Sequence, residues 1–204
     1  MAHGRSGGAP NGRGYDPLVL AYVFWHARSP AIAVADYETR LEAFHGALRA
    51  GGPAGLGPTL TFALGAVPWL EGGPGYEDWY LVEDFTALGT INAAAVSGAA
   101  KAPHDAAATA ARAGVGGVMG LVAGPALPAR PGWAAWLGKP AGVGYDAFHA
   151  ELEAALGGEA SAWRRQMVLG PSSEYCVLAE SERELPGDRG PAWPLRTVVA
   201  PLSG

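Results

Sequence analysis

The chain of 204 residues is long enough for one ordinary domain or for two small ones that share a core. Hydrophobic residues make up 49% and charged residues 16%, which allows a sizeable core and argues against wholesale disorder. Fourteen basic against 19 acidic side chains give a formal charge of −5 without a basic block, so neither a nucleic acid nor an anionic membrane is expected as partner. The single cysteine, Cys176, excludes an internal disulfide and a cysteine-based zinc site.

The N-terminus and the apolar runs bear on the compartment. Residues 1–15 are rich in Gly, Arg and small residues and lack the apolar run of a secretory signal, so we expect a flexible leader. The longest apolar run, residues 18–25, has the length of a strand and falls short of the roughly 20 residues that span a bilayer. We therefore expect a cytoplasmic protein.

The predicted elements of the first half are a strand, a helix, two strands, two helices and a strand. Residues 18–26 are apolar on both faces and rich in Val and aromatic side chains, which is typical of a buried central strand. Asp36 is the expected N-cap of a helix through Arg49, whose apolar residues follow a 3.6-residue period. The later elements are strands at 59–67 and 79–82, a helix at 85–98 capped by Asp84, a helix that starts at Pro103 and ends at Gly114, and a strand at 115–123.

The predicted pattern begins again after a proline-rich linker at residues 125–132. This linker divides the chain into a first unit, residues 16–124, and a shortened second unit, residues 133–204. The second unit has strands at 133–137, 163–169, 175–179 and 195–200, a helix between the first two, and a polar loop, SERELPGDRG, before the last. The repeated order of elements predicts a tandem duplication. A chance echo within an Ala- and Gly-rich chain is the alternative.

The sequence resembles the dimeric α+β barrel superfamily in its fused, two-repeat form. The resemblance covers residues 17–202 and rests on YVFWHARSP, YETRLEAFHGAL and YEDWYLVEDF in the first half, and on WAAWLGKP, YDAFHAELEAAL and SEYCVLAE in the second. It implies an α+β fold of tandem duplicated ferredoxin-like β-α-β-β-α-β units, packed sheet to sheet as an intramolecular α+β barrel. No single family's catalytic motif is intact.

This superfamily includes EthD-like proteins, cofactor-free quinone-forming monooxygenases, polyketide cyclases, muconolactone isomerase-like enzymes and haem-binding relatives. Such folds host unrelated reactions, so the resemblance implies a cavity rather than a reaction. We expect a small-molecule enzyme, without a cofactor, that moves a proton on a planar, weakly acidic or aromatic substrate. A haem-binding protein and a non-catalytic small-molecule binding module are the alternatives, and both a monomer and a homodimer remain open.

His26 is the candidate general base, because free imidazole titrates near neutral pH. Tyr22, Phe24 and His26 share one face of the first strand. We expect that face to line the space between the two half-sheets, and the smaller aliphatic face to pack against helices. A strand-end histidine held by hydrogen bonds is the alternative.

The residues Glu77, Asp78, Trp79 and Tyr80 lie together in the next strand. Either acid could orient His26 or act as an acid or base itself, and Trp79 could stack on a planar substrate. We therefore place Tyr22, Phe24, Trp79 and Tyr80 in the substrate-binding walls, with Glu77 and Asp78 as catalytic candidates. A solvated turn acid followed by core aromatic residues is the alternative.

Two arginines interrupt a strand of the second half. Arg164 and Arg165 must point to opposite faces of their strand, so we expect one of them to face the interior, where it would suit an anionic ligand. An edge strand whose arginines discourage aggregation is the alternative.

The remaining histidines carry weaker expectations. We expect His45 and His149, on the first helix of each unit, to serve surface roles. His104, in the first turn of the third helix, could be an axial haem ligand, although an exposed role is commoner. No two histidines have the helical separation of a metal pair, so no other metal site is expected.

Overall fold

The computed structural model describes residues 19–70, 73–168 and 173–201, so the leader predicted at 1–15 lies outside the described residues. The described part of the chain is an α+β protein with four helices and a nine-stranded antiparallel sheet. The helices are α1 (Val34–Gly51), α2 (Phe85–Ala95), α3 (Gly98–Ala108) and α4 (Tyr145–Leu156). The strands are β1 (Leu20–Arg28), β2 (Leu56–Ala66), β3 (Pro74–Val82), β4 (Ala111–Ala123), β5 (Trp133–Gly138), β6 (Ser161–Val168), β7 (Tyr175–Ala179), β8 (Asp188–Pro194) and β9 (Arg196–Val199).

The strand order follows the ferredoxin-like arrangement in each half of the sheet. Across the sheet the order is β8-β5-β7-β6-β4-β1-β3-β2-β9. The first four strands of the chain lie as β4-β1-β3-β2, and strands β5 to β8 lie in the corresponding order, β8-β5-β7-β6. The two halves join where β4 pairs with β6. The α+β class is confirmed, and the tandem duplication stays a prediction.

The two edges of the sheet are brought together by the chain itself. Strand β8 is one edge and ends at Pro194, while β9 is the opposite edge and begins at Arg196. A single residue, Leu195, connects them. Because consecutive Cα atoms are about 3.8 Å apart, the edges must approach each other at this point. The sheet therefore curls back on itself and encloses an inner face.

Tryptophan side chains from both halves fill this inner face. Trp25 and Trp79 come from the first half, Trp136 and Trp163 from the second, and all four are fully buried. The ring centroids of Trp25 and Trp136 lie 5.2 Å apart, and those of Trp79 and Trp163 lie 5.4 Å apart, both in edge-on contact. The residues that alternate with Tyr22 and Phe24 on β1 thus point into the barrel. The expectation that this face packs against helices is wrong.

The helix boundaries correct several local predictions. α1 begins after Ala33, with no side-chain cap, and Asp36 lies inside its first turn rather than at its N-cap. The cap predicted for α2 is confirmed, since the Asp84 side chain accepts a 2.7 Å hydrogen bond from the amide of Ala87. α3 begins at Gly98, so Pro103 lies within the helix and not at its start. Strand β8 occupies the end of the segment predicted as a polar loop.

Glu77 is buried inside the barrel, across the sheet from the outer face of β3. Its Oε2 atom accepts a 2.6 Å hydrogen bond from Trp25 Nε1, and its Oε1 atom accepts one from Trp79 Nε1. Burial raises the pKa of the Glu77 carboxyl to about 7, although both indole hydrogen bonds favour the charged form. Because Glu77 and His26 lie on opposite faces, Glu77 does not orient His26, contrary to one of the two predicted roles.

The substitution Glu77→Gln should change the pH dependence of stability. In the unfolded chain a glutamate ionises near pH 4.5, while the folded chain resists ionisation until about pH 7. Glu77 therefore lowers the free energy of unfolding of the wild type as the pH rises between these two values. The loss reaches about 3 kcal/mol above pH 7. We expect the free energy of unfolding of E77Q, relative to the wild type, to rise by this amount from pH 4 to pH 8. Urea titrations across that range measure it, and a flat difference contradicts it.

Candidate functional site

A cavity of about 610 Å³ lies between the outer face of the first-half sheet and helices α1 to α3. Its helix wall is mostly apolar, with Leu41 and Phe44 of α1 and Leu88 and Ile91 of α2, but it also carries Tyr37, Asn92 and His104. Its sheet wall carries the aromatic and polar side chains Tyr22, Phe24, His26, Asp78 and Tyr80. The sequence analysis placed these five residues, together with Glu77 and Trp79, between the half-sheets, where tryptophans fill the space.

His26 is held in one orientation at the sheet wall. Its ring lies between those of Phe24 and Tyr76, with both centroids 5.5 Å away. Its Nδ1 atom lies 2.6 Å from the hydroxyl oxygen of Tyr37. Its Nε2 atom lies 3.2 Å from Asp78 Oδ2 but is not aligned for a hydrogen bond with any group of the described chain. The ring is 1% exposed, so Nε2 is a buried polar atom at a cavity wall without a hydrogen-bond partner.

Asp78 is the acidic centre of the sheet wall. Thr61 donates a 2.6 Å hydrogen bond to its Oδ1 atom, and the Tyr80 hydroxyl donates a 3.2 Å hydrogen bond to Oδ2. Burial opposes ionisation, but the attraction of His26 and His45 outweighs it and lowers the pKa of the Asp78 carboxyl. Asp78 is therefore a carboxylate at neutral pH, 3.2 Å from the candidate base.

His45 belongs to this network, which corrects the predicted surface role. It is fully buried, with Nδ1 2.8 Å from Thr59 Oγ1 and Nε2 3.1 Å from Thr61 Oγ1. Nε2 also lies 3.1 Å from the Tyr80 hydroxyl and 3.7 Å from Asp78 Oδ1. Because the Thr61 hydroxyl donates to Asp78, His45 Nε2–H is the donor to Thr61. His45 thus supports Asp78 from the side opposite His26.

Two glycines of β4 make room for the rings of Tyr22 and Phe24 on the sheet wall of the cavity. A Cβ atom at Gly114 would lie 2.3 Å from the Phe24 ring, and one at Gly116 would lie 2.5 Å from the Tyr22 hydroxyl. The rings of Tyr22 and Phe24 therefore extend across β4 instead of filling the cavity. Burial raises the pKa of both Tyr22 and Tyr80, with the Asp78 charge adding to it, so both hydroxyls stay protonated at neutral pH.

The other predicted binding residues lie elsewhere. Trp79 is in the barrel core and does not line the cavity. Arg164 lies over the ring of Tyr145, 4.2 Å from its centroid, and its Nε is 3.4 Å from Glu174 Oε1. The Arg165 side chain is exposed on the same strand, β6. Neither arginine lines the cavity, because β6 belongs to the second half of the sheet and the cavity to the first.

His104 lies at the cavity on α3, with its side chain 32% exposed. An imidazole there has the donor chemistry of an axial haem ligand. However, none of the described residues that line the cavity is a lysine or arginine, so the two carboxylates of a haem would meet no cation. The haem alternative therefore has one possible axial ligand at the cavity but no cationic partner for its propionates there. Among the described residues no group of three or more metal-ligating side chains occurs.

Gly89 offers a direct test of where the ligand lies. It lines the cavity from α2, and a Cβ atom added there would meet no atom within 4 Å. We expect G89A to stabilise the protein by up to about 1 kcal/mol, because alanine is the better helix former. G89L should fold equally well but weaken binding of a cavity ligand at least tenfold, since its side chain occupies the space. Thermal unfolding and ligand titration distinguish the two effects, and equal affinity in G89L argues against this cavity as the site.

The fold and the site together define a ferredoxin-like α+β barrel protein with a covered pocket under its first-half helices. No family model and no curated protein matches the chain. A candidate monooxygenase from Fusobacterium nucleatum has a similar structure, with a TM-score of 0.55 and 11% identity over 93% of this chain and 96% of that chain. This similarity establishes the fold.

Two further solved structures show weaker similarity. An anthrone oxidase-like protein has a TM-score of 0.49 and 8% identity, over 90% of this chain and 94% of that chain. Chlorite dismutase from Candidatus Nitrospira defluvii has a TM-score of 0.38 and 9% identity, over 81% of this chain and 77% of that chain. No helix of the described residues is long and apolar enough to cross a membrane.

Proposed function

We propose that this protein is a small-molecule enzyme that binds a planar, weakly acidic substrate in the helix-covered cavity and removes a proton from it through His26. One observation carries the proposal: His26 Nε2 is buried at the cavity wall without a hydrogen-bond partner, beside the Asp78 carboxylate. A buried polar atom left unpaired is costly, so such an atom at a cavity is a natural partner for a ligand. The similarity to a candidate monooxygenase is compatible with this class of activity.

The contacts of His26 define how it would take the proton. In the reactive tautomer Nδ1–H donates to the Tyr37 oxygen, 2.6 Å away, and the lone pair of Nε2 faces the substrate. The O–H or activated C–H bond of the substrate breaks, its proton moves to Nε2, and its electron pair stays on the substrate as a phenolate or enolate. The Asp78 carboxylate, 3.2 Å from Nε2, stabilises the imidazolium that forms. Reaction of the anion with oxygen would give a monooxygenase, and its reprotonation or ring closure an isomerase or cyclase.

The charges around the cavity favour a substrate that enters neutral. Asp78 is ionised, and none of the described lining residues is a lysine or arginine. An anion would therefore lose its hydration without gaining a partner. Apart from His26, Asn92 and His104, the other lining residues are aromatic, aliphatic or glycine, which suits a flat hydrocarbon body. Arg164 and Arg165 do not line the cavity, so the predicted arginine contact to an anionic ligand does not form there.

The second half has the same order of strands but lacks a carboxylate at the position of Asp78, which supports both the duplication and a single site. Phe24 of β1 lies opposite Asp78 of β3, and with Trp136 matched to Trp25 the corresponding pair in the second half is Ala135 with Val177. His149 on α4 matches His45 on α1, and its Nε2 lies 3.1 Å from the Tyr175 hydroxyl. Since a valine takes the place of the carboxylate, we infer that only the first half carries a proton-transfer site.

Deuterium exchange tests the proton transfer itself, whichever reaction the resulting anion undergoes. The neutral aromatic ketone 2-tetralone carries an acidic methylene group next to its carbonyl. We expect the protein to accelerate exchange of these hydrogens in D2O, followed by proton NMR, with saturation in 2-tetralone. Consumption of oxygen during the same reaction identifies the monooxygenase outcome. Exchange at the rate of buffer with planar ketones of this size argues for a binding module without chemistry.

The charge preference is tested with two ligands of one shape. We expect 2-naphthol, which is neutral at pH 7, to quench tryptophan fluorescence and to raise the melting temperature on binding. The anion 2-naphthoate should bind at least tenfold more weakly, because it would lie against Asp78. Equal or tighter binding of 2-naphthoate contradicts the neutral-substrate assignment.

A further inference from the structure

His104 stands on the helix wall of the cavity, facing the sheet wall that carries His26. Its ring contacts the ring of Phe44 edge to face, with centroids 5.3 Å apart. Phe44 in turn lies 6.5 Å from the ring of Tyr80, whose hydroxyl donates to Asp78. Phe44 and Tyr80 therefore lie between His104 and the acid–base pair, and Asn92 of α2 is a further polar residue of the helix wall.

The neighbours of His104 fix which ring nitrogen is available. Its Nδ1 atom lies 3.1 Å from Asp105 Oδ1, and Lys101 donates a 2.6 Å hydrogen bond to Asp105 Oδ2. The lysine and the histidine together lower the pKa of the Asp105 carboxyl, so that group accepts and Nδ1–H donates. Nε2 is then the atom of His104 that can meet a ligand in the cavity.

We infer that His104 is a specificity-determining residue, which binds a second hydroxyl group at the end of the substrate remote from His26. The inference rests on the proposed function and narrows its substrate class to elongated, neutral aromatic molecules with an oxygen at each end. The near hydroxyl meets the His26–Asp78 pair, the hydrocarbon body lies along Phe44 and Tyr80, and the far hydroxyl donates to His104 Nε2. His104 does not take part in the proton transfer.

Two probes of one ring system test this inference. 2-Naphthol carries one hydroxyl group, and 2,6-dihydroxynaphthalene carries a second at the opposite end. We expect the wild type to bind the diol about fivefold more tightly, the effect of one neutral hydrogen bond. In H104F this preference should disappear while the affinity for 2-naphthol stays within twofold, and H104Q should retain part of it. The variant H149F, which changes the matching histidine of the second half, should behave as the wild type.

The outcomes separate the inference from the proposed function. A preference for the diol that survives in H104F, or its absence in the wild type, overturns the role of His104. Binding of both probes as expected, but without catalysed exchange of 2-tetralone, supports His104 and overturns the proposed function. Binding of neither probe overturns both.

Discussion

The substitution His26→Gln should reduce catalysed deuterium exchange of 2-tetralone by about 10²- to 10⁴-fold, the usual contribution of a general base. Glutamine fills much of the space between Phe24 and Tyr76 and keeps a polar group near Tyr37, but its amide does not accept a proton near neutral pH. The loss should fall on kcat. Binding of 2-naphthol, which needs only a hydrogen-bonding group at this position, should change by less than about fivefold.

A matched variant separates chemistry from folding in this experiment. His149→Gln makes the same change on α4, where the histidine contacts Tyr175 outside the cavity. We expect H149Q to retain the exchange rate of the wild type. Circular dichroism and thermal unfolding should show both variants folded. Exchange by folded H26Q at the wild-type rate removes His26 from the mechanism.

The fold could be predicted largely because the local patterns agree with the final order of strands. The helical period of α1 and α4 comes from residues that bury one face, and in β2 apolar residues alternate with threonines, so these elements are legible in sequence. Strand β8 escaped prediction because only one of its residues, Trp193, is buried. Its membership in the sheet depends on pairing with β5, a contact that no local pattern encodes.

The inward face of β1 could not be predicted, because both faces of this strand are buried. Trp25 belongs to the set expected to face helices, yet it packs against Trp136 of the second half. Hydrophobicity does not distinguish a barrel interior from a helix-covered face when both are aromatic. The partners of the strand decide the question, and they lie more than a hundred residues away in the chain.

His45 shows a signal that the sequence did contain. It lies four residues after Leu41, on the buried stripe of α1, and the threonines Thr59 and Thr61 alternate on the facing strand. A polar residue on a buried stripe opposite polar residues on a strand predicts a buried network. The hydrogen bonds of His45 to Thr59 and Thr61 form that network. The predicted surface role is wrong because the prediction considered His45 without the threonines of the strand that faces it.

The substitution Asp78→Asn should have the largest effect on stability. It removes the charge that lies 3.2 Å from His26 and 3.7 Å from His45, and it leaves both imidazoles without their carboxylate. The carboxylate also accepts hydrogen bonds from Thr61 and Tyr80, and a hydrogen bond to a charged group typically contributes about 1.5 to 3 kcal/mol. We expect D78N to lower the free energy of unfolding at pH 7 by about 3 kcal/mol. Its exchange activity should fall about 100-fold, since the imidazolium of His26 loses its counter-charge.

The stability that Asp78 contributes depends on pH. The pKa of Asp78 is lowered in the folded protein, so its contribution to stability is complete above the unfolded value of 3.8 and is lost as the pH falls below it. The stability difference between the wild type and D78N should therefore shrink below about pH 4. E77Q, the same carboxylate-to-amide change at the neighbouring residue, should show the opposite trend, because its stability relative to the wild type rises between pH 4 and pH 8. A stability of E77Q relative to the wild type that falls with rising pH, together with one of D78N that rises, would contradict the assignment of the two faces of β3.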